Sequence, residues 1–432
     1  MKYKNKSFKQ FFVKSFFILA SGTLLSQVIQ ILVYPFITRI FTPEDFGIKA
    51  FFTTVLVLTT SFSTGKYEES ISLPKKDEEA IDVIILSIIL SIVAAIFFSI
   101  FFYFFKEFLF GFQTKYDFLI YVILLPIGII VISIVNSLIQ WSMRKGEYKI
   151  MSKVKIIQSS AKGIFELSGG YFGFGGIILI VGTLIGTCGG VISYSLFFLK
   201  QVKKFNIKLQ ASFNKERLSF VLKKYINFPK FSVAAGLFNR LTNHLPILYF
   251  SKYATVAVLG HFSIAVLLVS ILNAIFIESL LKIFYTEFAS RIKSNIKSAN
   301  TLFLKNVLLT TLVSSIIALG FFVLGKPFIL FAFGEQWNLA GEILPYYGWV
   351  LIGITWFFIS LYVFSLLEKQ KWILFFNLIK LAFVSLGFFI AGKMEMDNIS
   401  TIQLYVLIIL VFSGIQLFAA FQLIQNKIKI SK

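Results

Sequence analysis

The sequence predicts an all-α integral membrane protein: about twelve transmembrane helices in two six-helix bundles related by a pseudo-two-fold axis along the membrane normal. Three observations predict it. Hydrophobic residues make up 57% of the 432 and charged residues 14%, with a mean hydropathy of +0.84; a soluble chain carries nearer a quarter charged residues. Apolar runs long enough to cross a bilayer recur about twelve times. Lys and Arg collect in alternate connections between those runs, about thirty-one on one side against about seven on the other. That asymmetry places both termini in the cytoplasm and supports an even number of spans, since one span more or fewer would invert every later loop.

In rough boundaries the spans are 16 to 38, 46 to 65, 80 to 105, 117 to 142, 152 to 171, 175 to 199, 226 to 250, 255 to 281, 299 to 324, 339 to 367, 372 to 392 and 400 to 425. The lysines before the first span, Lys2 to Lys14, imitate a signal peptide, but the apolar run continues too far and lacks a small-x-small cleavage site. It reads as an uncleaved span. Within it Thr23, Gln27, Gln30 and Tyr34 recur at i, i+4, i+7 and i+11, on one helical face. Lipid offers such groups no partners, so the stripe should face other helices or a water-filled cavity. Arg39 closes this helix, and Thr42-Pro43-Glu44-Asp45 starts the next: Thr42 as N-cap, Pro43 at the first helical position, two acids in the first turn.

Span five carries Lys153, Lys155, Lys162 and Glu166, so it should face protein or water, with Lys162 and Glu166 spaced as an i, i+4 pair. The glycine-rich 169 to 176 stretch matches no phosphate-binding pattern and reads as a tight hairpin. Gly182, Gly186 and Gly190 follow at four-residue spacing, which admits close helix approach. The longest basic loop bisects the chain, giving a bundle over 1–200, a basic linker over 201–224 and a second bundle over 225–432. The stretch from Ser232 to Arg240 weakly repeats the stretch from Ile18, each heading six spans; six is even, so the repeats are parallel, with a central cavity between the halves.

Several function classes are excluded. A net charge of +22 could suggest nucleic acid, but the basic runs lie between apolar spans, where membrane orientation explains them. Cys188 is the single cysteine and His244 and His261 the two histidines, so no internal disulfide forms and a His/Cys metal cluster is implausible. No catalytic constellation, cofactor motif or metal-ligand spacing is present, and the outer loops are too short for the catalytic residues of a polysaccharide polymerase or glycosyltransferase. The informative residues are ionisable groups within spans: Arg240 with Asn243 and His244 on one face of span seven, Asn377 and Lys380 on one face of span eleven, Lys162 and Glu166 in span five, and Arg39 closing span one. A cavity so lined favours an anion. Asp82 and Glu278 lie near cytoplasmic span ends, where solvation by loops competes with proton coupling.

Two motifs carry a family resemblance. Arg39-Ile40-Phe41-Thr42-Pro43-Glu44-Asp45-Phe46-Gly47 resembles the first-hairpin signature of bacterial polysaccharide biosynthesis transporters, the Wzx-type O-antigen and capsule flippases of the multidrug/oligosaccharidyl-lipid/polysaccharide exporter superfamily. Lys66-Tyr67-Glu68-Glu69-Ser70-Ile71-Ser72-Leu73-Pro74, followed by Asp77-Glu78-Glu79-Ala80, resembles the stretch after the second span in the same group; Lys66 stands where an arginine is common, keeping the charge and losing bidentate phosphate geometry. The resemblance covers roughly the first eighty residues. It implies a flippase in the bacterial inner membrane that moves undecaprenyl-pyrophosphate-linked oligosaccharide for O-antigen, lipopolysaccharide or capsule assembly, with membrane lipids and the polysaccharide polymerase machinery as partners. On that reading Arg240, Lys380, Arg39 and Lys162 would meet pyrophosphate. Gln27, Gln30, Tyr34, Asn243, His244 and Asn377 would meet glycan, and Glu166, Glu278 and Asp82 are candidates for ion coupling. The rival readings are a multidrug/cation antiporter of the same superfamily, which would favour an acidic cavity, a lipid II flippase, typically with two further spans, and a membrane-embedded polymerase or glycosyltransferase.

Overall fold

The polar stripe of the first span is where local sequence meets packing. In the structure, a computed structural model that describes residues 2–109, 119–204 and 214–430, this stretch belongs to helix α1 (Lys2–Ile40). Its outward face is apolar, with Leu25, Val28, Leu32 and Phe36 exposed. Tyr34 on the polar side is buried, and Thr23 accepts a hydrogen bond from Lys155 Nζ at 2.9 Å. The helix is thus apolar toward lipid and polar toward protein, as a bilayer solvent demands.

The chain divides into two units, Met1–Arg240 and Leu241–Lys432. In the first, α1 is followed by α2 (Pro43–Ser63), α3 (Asp77–Leu109), α4 (Leu125–Arg144), α5 (Tyr148–Tyr171), α6 (Ile177–Lys204) and a short α7 (Lys215–Lys224). Helix α8 (Val233–Tyr253) runs across the division. The second unit continues with α9 (Val256–Leu272), α10 (Glu278–Ser294), α11 (Ile296–Phe333), α12 (Asn338–Tyr347), α13 (Val350–Leu366), α14 (Gln370–Lys393) and α15 (Asn398–Ile430). The described residues include no strand. Residues 205–213 of the expected linker, and 117 and 118 at the head of the expected fourth span, lie outside the described residues.

Among the described residues nine helices are long and apolar enough to cross a membrane, ten when α12 and α13 count as one bent span. The two further expected spans are α5 and α8. Each has charge or amide groups along its length, which removes it from a hydropathy count without removing it from a protein-lined position. The expected span 339 to 367 is broken by 47° between α12 and α13. Pro345 lacks an amide hydrogen and Gly348 follows it, so the helical ladder loses a bond where the chain is also most deformable.

The start of α2 forms as its sequence predicts. Thr42 caps it in a reciprocal box: Asp45 N donates to Thr42 Oγ1 at 3.3 Å, and Thr42 N donates to Asp45 Oδ2 at 3.0 Å. Within the first unit α1 packs on α5, and α5 on α6, while α2, α3, α4 and α6 pack together. One core cluster joins Tyr67 and Ile71 to Ile81 and Ile84 of α3, Trp141 of α4 and Val221 of α7. Within the second unit α13 and α15 pack closely, with α11, α12 and α14 against them, around Phe284, Phe288, Phe303, Val363 and Phe364.

Candidate functional site

The face of α1 that carries Thr23, Gln27, Gln30 and Tyr34 meets a face of α5 with the same spacing: Lys155, Ser159, Lys162 and Glu166. Two helices that would each be costly in lipid thereby satisfy one another. Gly163 lies against Val33, so the two backbones approach closely enough for short contacts. Lys162 Nζ donates to the Tyr34 hydroxyl at 3.4 Å and lies 5.7 Å from the ring centroid.

Glu166 differs from the sequence expectation. Its spacing suggests a pair with Lys162 on the same helix, but Glu166 Oε1 accepts from Lys49 Nζ of α2 at 2.7 Å. Both side chains are withdrawn, 10% exposed for Lys49 and 1% for Glu166. Lys49 also stands 5.6 Å from the Tyr34 ring and 5.4 Å from Phe46. Glu166 Oε2 is buried with no hydrogen-bond partner among the described residues. Lys49 was legible as the single charged residue of the second apolar span; nothing in its sequence neighbourhood pointed to a partner 117 positions away.

Glycines of α6 make room for this arrangement. A Cβ at Gly182 would fall 2.6 Å from Glu166 Cγ, and one at Gly186 would fall 3.0 Å from Lys162 Cβ. Gln30, Tyr34, Ser159, Lys162 and Glu166 enclose a cavity of about 10 Å³, at the threshold for a single water. As it stands, this space holds no sugar and no phosphate. The cluster has two ammonium groups and one carboxylate, an excess of positive charge inside a membrane-spanning unit.

The remaining predicted residues are dispersed. Arg39 is exposed at the end of α1, and Gln27 is half-buried on the α1 stripe. Arg240 donates to the Val57 carbonyl and to Ser61 Oγ, each at 3.1 Å, across to α2 within the first unit. In the second unit Asn243 is exposed and His244 half-buried on α8. Lys380 of α14 is 5% exposed, with its ammonium 4.2 Å from the Phe357 ring centroid. Asn377, one turn earlier, is buried, and its Oδ1 has no hydrogen-bond partner among the described residues. Asp82 accepts from Arg217 at 2.9 Å, and Glu278 pairs with Lys282 at 3.6 Å. Among the described residues no group of His, Cys, Asp and Glu could hold a metal ion.

Known proteins place this architecture. The lipid II flippase MurJ, in an inward closed conformation, is similar with a TM-score of 0.74 at 14% identity, over 94% of this chain and 90% of that one. An inward-facing multidrug resistance MATE family transporter of the MOP superfamily is similar with a TM-score of 0.71 at 14% identity, over 96% of this chain and 100% of that one. A MATE transporter of Vibrio cholerae, VcmN, gives 0.57 at 13% identity over 99% and 98%. At these identities the likeness establishes the fold alone, an all-helical architecture like that of those membrane proteins. No protein of curated function matches in sequence. The sequence model of one family, described as "Polysaccharide biosynthesis protein", matches residues 36–341. That match spans well over half the chain and includes both motifs near the first hairpin, and on it the chain belongs to the polysaccharide biosynthesis protein family.

Proposed function

We propose that the chain is a flippase of the bacterial inner membrane, not an enzyme, that carries undecaprenyl-pyrophosphate-linked oligosaccharide units toward the outer leaflet for O-antigen or capsule assembly. It works by alternating access, with both termini in the cytoplasm. The observation that carries this reading is the sign of the charge within the spanning units. In the first, Lys49 and Lys162 face one carboxylate, and the described partners of Arg240 are neutral. In the second, the described partner of Lys380 is an aromatic ring. Cationic groups kept in a membrane select an anionic headgroup and repel a cationic drug. The fold shared with the lipid II flippase and the family match on polysaccharide biosynthesis agree with that headgroup.

Arg240, Lys380 and Arg39 engage the phosphates on this reading, with Lys162 joining when α1 and α5 part. Gln27, Gln30, Asn243, His244 and Asn377 meet sugar hydroxyls. Outward passage of a dianionic headgroup from a negative interior gains about 2.3 kcal/mol per charge per 100 mV, enough to bias direction. The test is translocation of fluorescent lipid-linked oligosaccharide by the purified protein in vesicles. Wild type moves it; Arg240→Ala and Lys380→Ala lower the rate at least tenfold while remaining folded. Wild-type rates from both variants would refute the cationic site, and failure of the wild type to move the lipid would refute the flippase reading.

A further inference from the structure

The second resemblance motif, Lys66 to Pro74 with Asp77 to Ala80, has no role in the site above, yet its residues meet the segment that carries Arg240. The motif is anchored first on α4. Asp77 pairs with Arg144 at 3.1 Å and with Lys145 at 2.5 Å, and Arg144 also donates to the Pro74 carbonyl at 2.6 Å. Two successive left-handed residues, Gly65 at φ 56° and Lys66 at φ 61°, reverse the chain after α2 and turn Tyr67 into the core. Lys66 pairs with Glu69 at 3.0 Å and lies 3.9 Å from Glu68, so its charge is satisfied within the motif rather than offered to a phosphate.

From this base, ties reach α7. The Tyr67 hydroxyl donates to the Leu222 carbonyl at 3.0 Å, and Glu79 accepts from Lys224 at 2.5 Å and from Tyr225 at 2.7 Å. Asp82, buried one turn further along α3, pairs with Arg217 at 2.7 Å. Among the described residues of α7, Val221 alone is buried, so apolar packing holds this helix weakly and the charge-assisted bonds decide where it lies. A further contact reaches α8: a Cβ at Gly236 would stand 3.7 Å from Lys66 Cε. Gly236 lies one helical turn before Arg240, on the same face. Arg240 itself donates to the Val57 carbonyl and Ser61 Oγ. The segment from Arg217 to Arg240 is thus fixed to the first unit at both ends, by the acids of α3 at its start and by α2 at its end.

We propose that the motif and Asp82 form a seat for Arg240. Lys66, Glu79 and Asp82 are positioning residues: they hold α7 and the head of α8 where the Arg240 guanidinium can meet a phosphate. The proposal rests on the flippase reading for its headgroup. A guanidinium binds phosphate through a planar fork whose donors need fixed geometry. A small displacement of the helix that bears it therefore loses a bond while leaving the charge in the site. Loosening the seat should act on headgroup affinity, and it should act through Arg240.

The experiment measures equilibrium binding of geranylgeranyl pyrophosphate to the full-length protein in lipid nanodiscs, with each variant checked for a monodisperse folded protein. Arg217→Ala and Glu79→Gln should each weaken binding at least fivefold, whereas Arg217→Lys, which keeps the tie to Asp82, stays within twofold of wild type. In an Arg240→Ala background, itself at least tenfold weaker, the same two substitutions should change affinity less than twofold, because the residue they position is gone. Lys224→Ala, an exposed position, makes the same comparison if Arg217→Ala does not fold. Wild-type affinity in both seat variants, an undiminished fivefold loss without Arg240, or no binding of the probe by wild type would overturn the proposal. A wild type that shows the coupling but moves no lipid-linked oligosaccharide would keep the seat and sink the flippase reading. Transport by wild type without the coupling would sink the seat alone.

Discussion

The two units bury positive charge by different means. In the first, Lys49 is matched by a carboxylate at 2.7 Å, and Lys162 by a phenol at 3.4 Å, at the meeting of α1, α2, α5 and α6. In the second, Lys380 rests on the face of Phe357. Breaking an ion pair strands a charge, so the first arrangement is held in place by the cost of its own disruption. A cation on a ring keeps most of its charge available to an arriving anion. On the flippase reading proposed above, the difference divides the labour: the α1–α5 cluster mainly holds helix packing, and Lys380 is the more readily recruited cation.

The largest expected effect breaks the first arrangement. Glu166→Leu leaves Lys49 buried and unpaired and should cost about 3–5 kcal/mol, read as denaturant unfolding in detergent micelles. The double variant Lys49→Met with Glu166→Leu should recover most of that loss. A double variant as unstable as the single one would show that the pair is not what holds the helices. Next, Gly182→Val drives a side chain into Glu166 and should cost about 1–3 kcal/mol, with no counterpart among the exposed positions of α6.

Capping provides a control in which the units should behave alike. Thr42→Ala removes the cap of α2, and Asn295→Ala removes the cap of α11, where Asn295 Oδ1 accepts from Ser298 N at 3.0 Å. Each should cost about 1 kcal/mol. A much larger loss for Thr42→Ala alone would mean that the cap also sets the position of Lys49. The smallest effect on stability is expected for Lys380→Met, within about 1 kcal/mol and in the stabilising direction, because the lost cation–π contact is offset by relief from burying an ammonium. Its transport rate should nonetheless fall at least tenfold, and a stability loss like that of Glu166→Leu would erase the contrast between the units.

Much of this was legible in the sequence wherever a local rule sufficed. The cap at Thr42, the helical character of the spans and the need of the α1 stripe for polar company follow from residue spacing and from a solvent without hydrogen bonds. The partner of Glu166 was not legible. An i, i+4 spacing states which residues share a face, and the nearer lysine, Lys162, turned instead to Tyr34. The matching period on α5 could have been read, since Lys155, Ser159, Lys162 and Glu166 repeat the intervals of Thr23 to Tyr34. The break between α12 and α13 was signalled by Pro345 and Gly348, but overall apolarity hid it.

By itself the sequence determined the solvent, and through it most of the architecture: in a chain 57% hydrophobic, apolar runs of spanning length leave the backbone no stable option but helices. Which charge meets which was decided by tertiary structure alone. Lys49 and Glu166 are brought to 2.7 Å across 117 residues by the packing of α2, α5 and α6, with Gly182 clearing the space. The reason is physical. Burial costs are set residue by residue, whereas the contacts that offset them depend on which helices become neighbours.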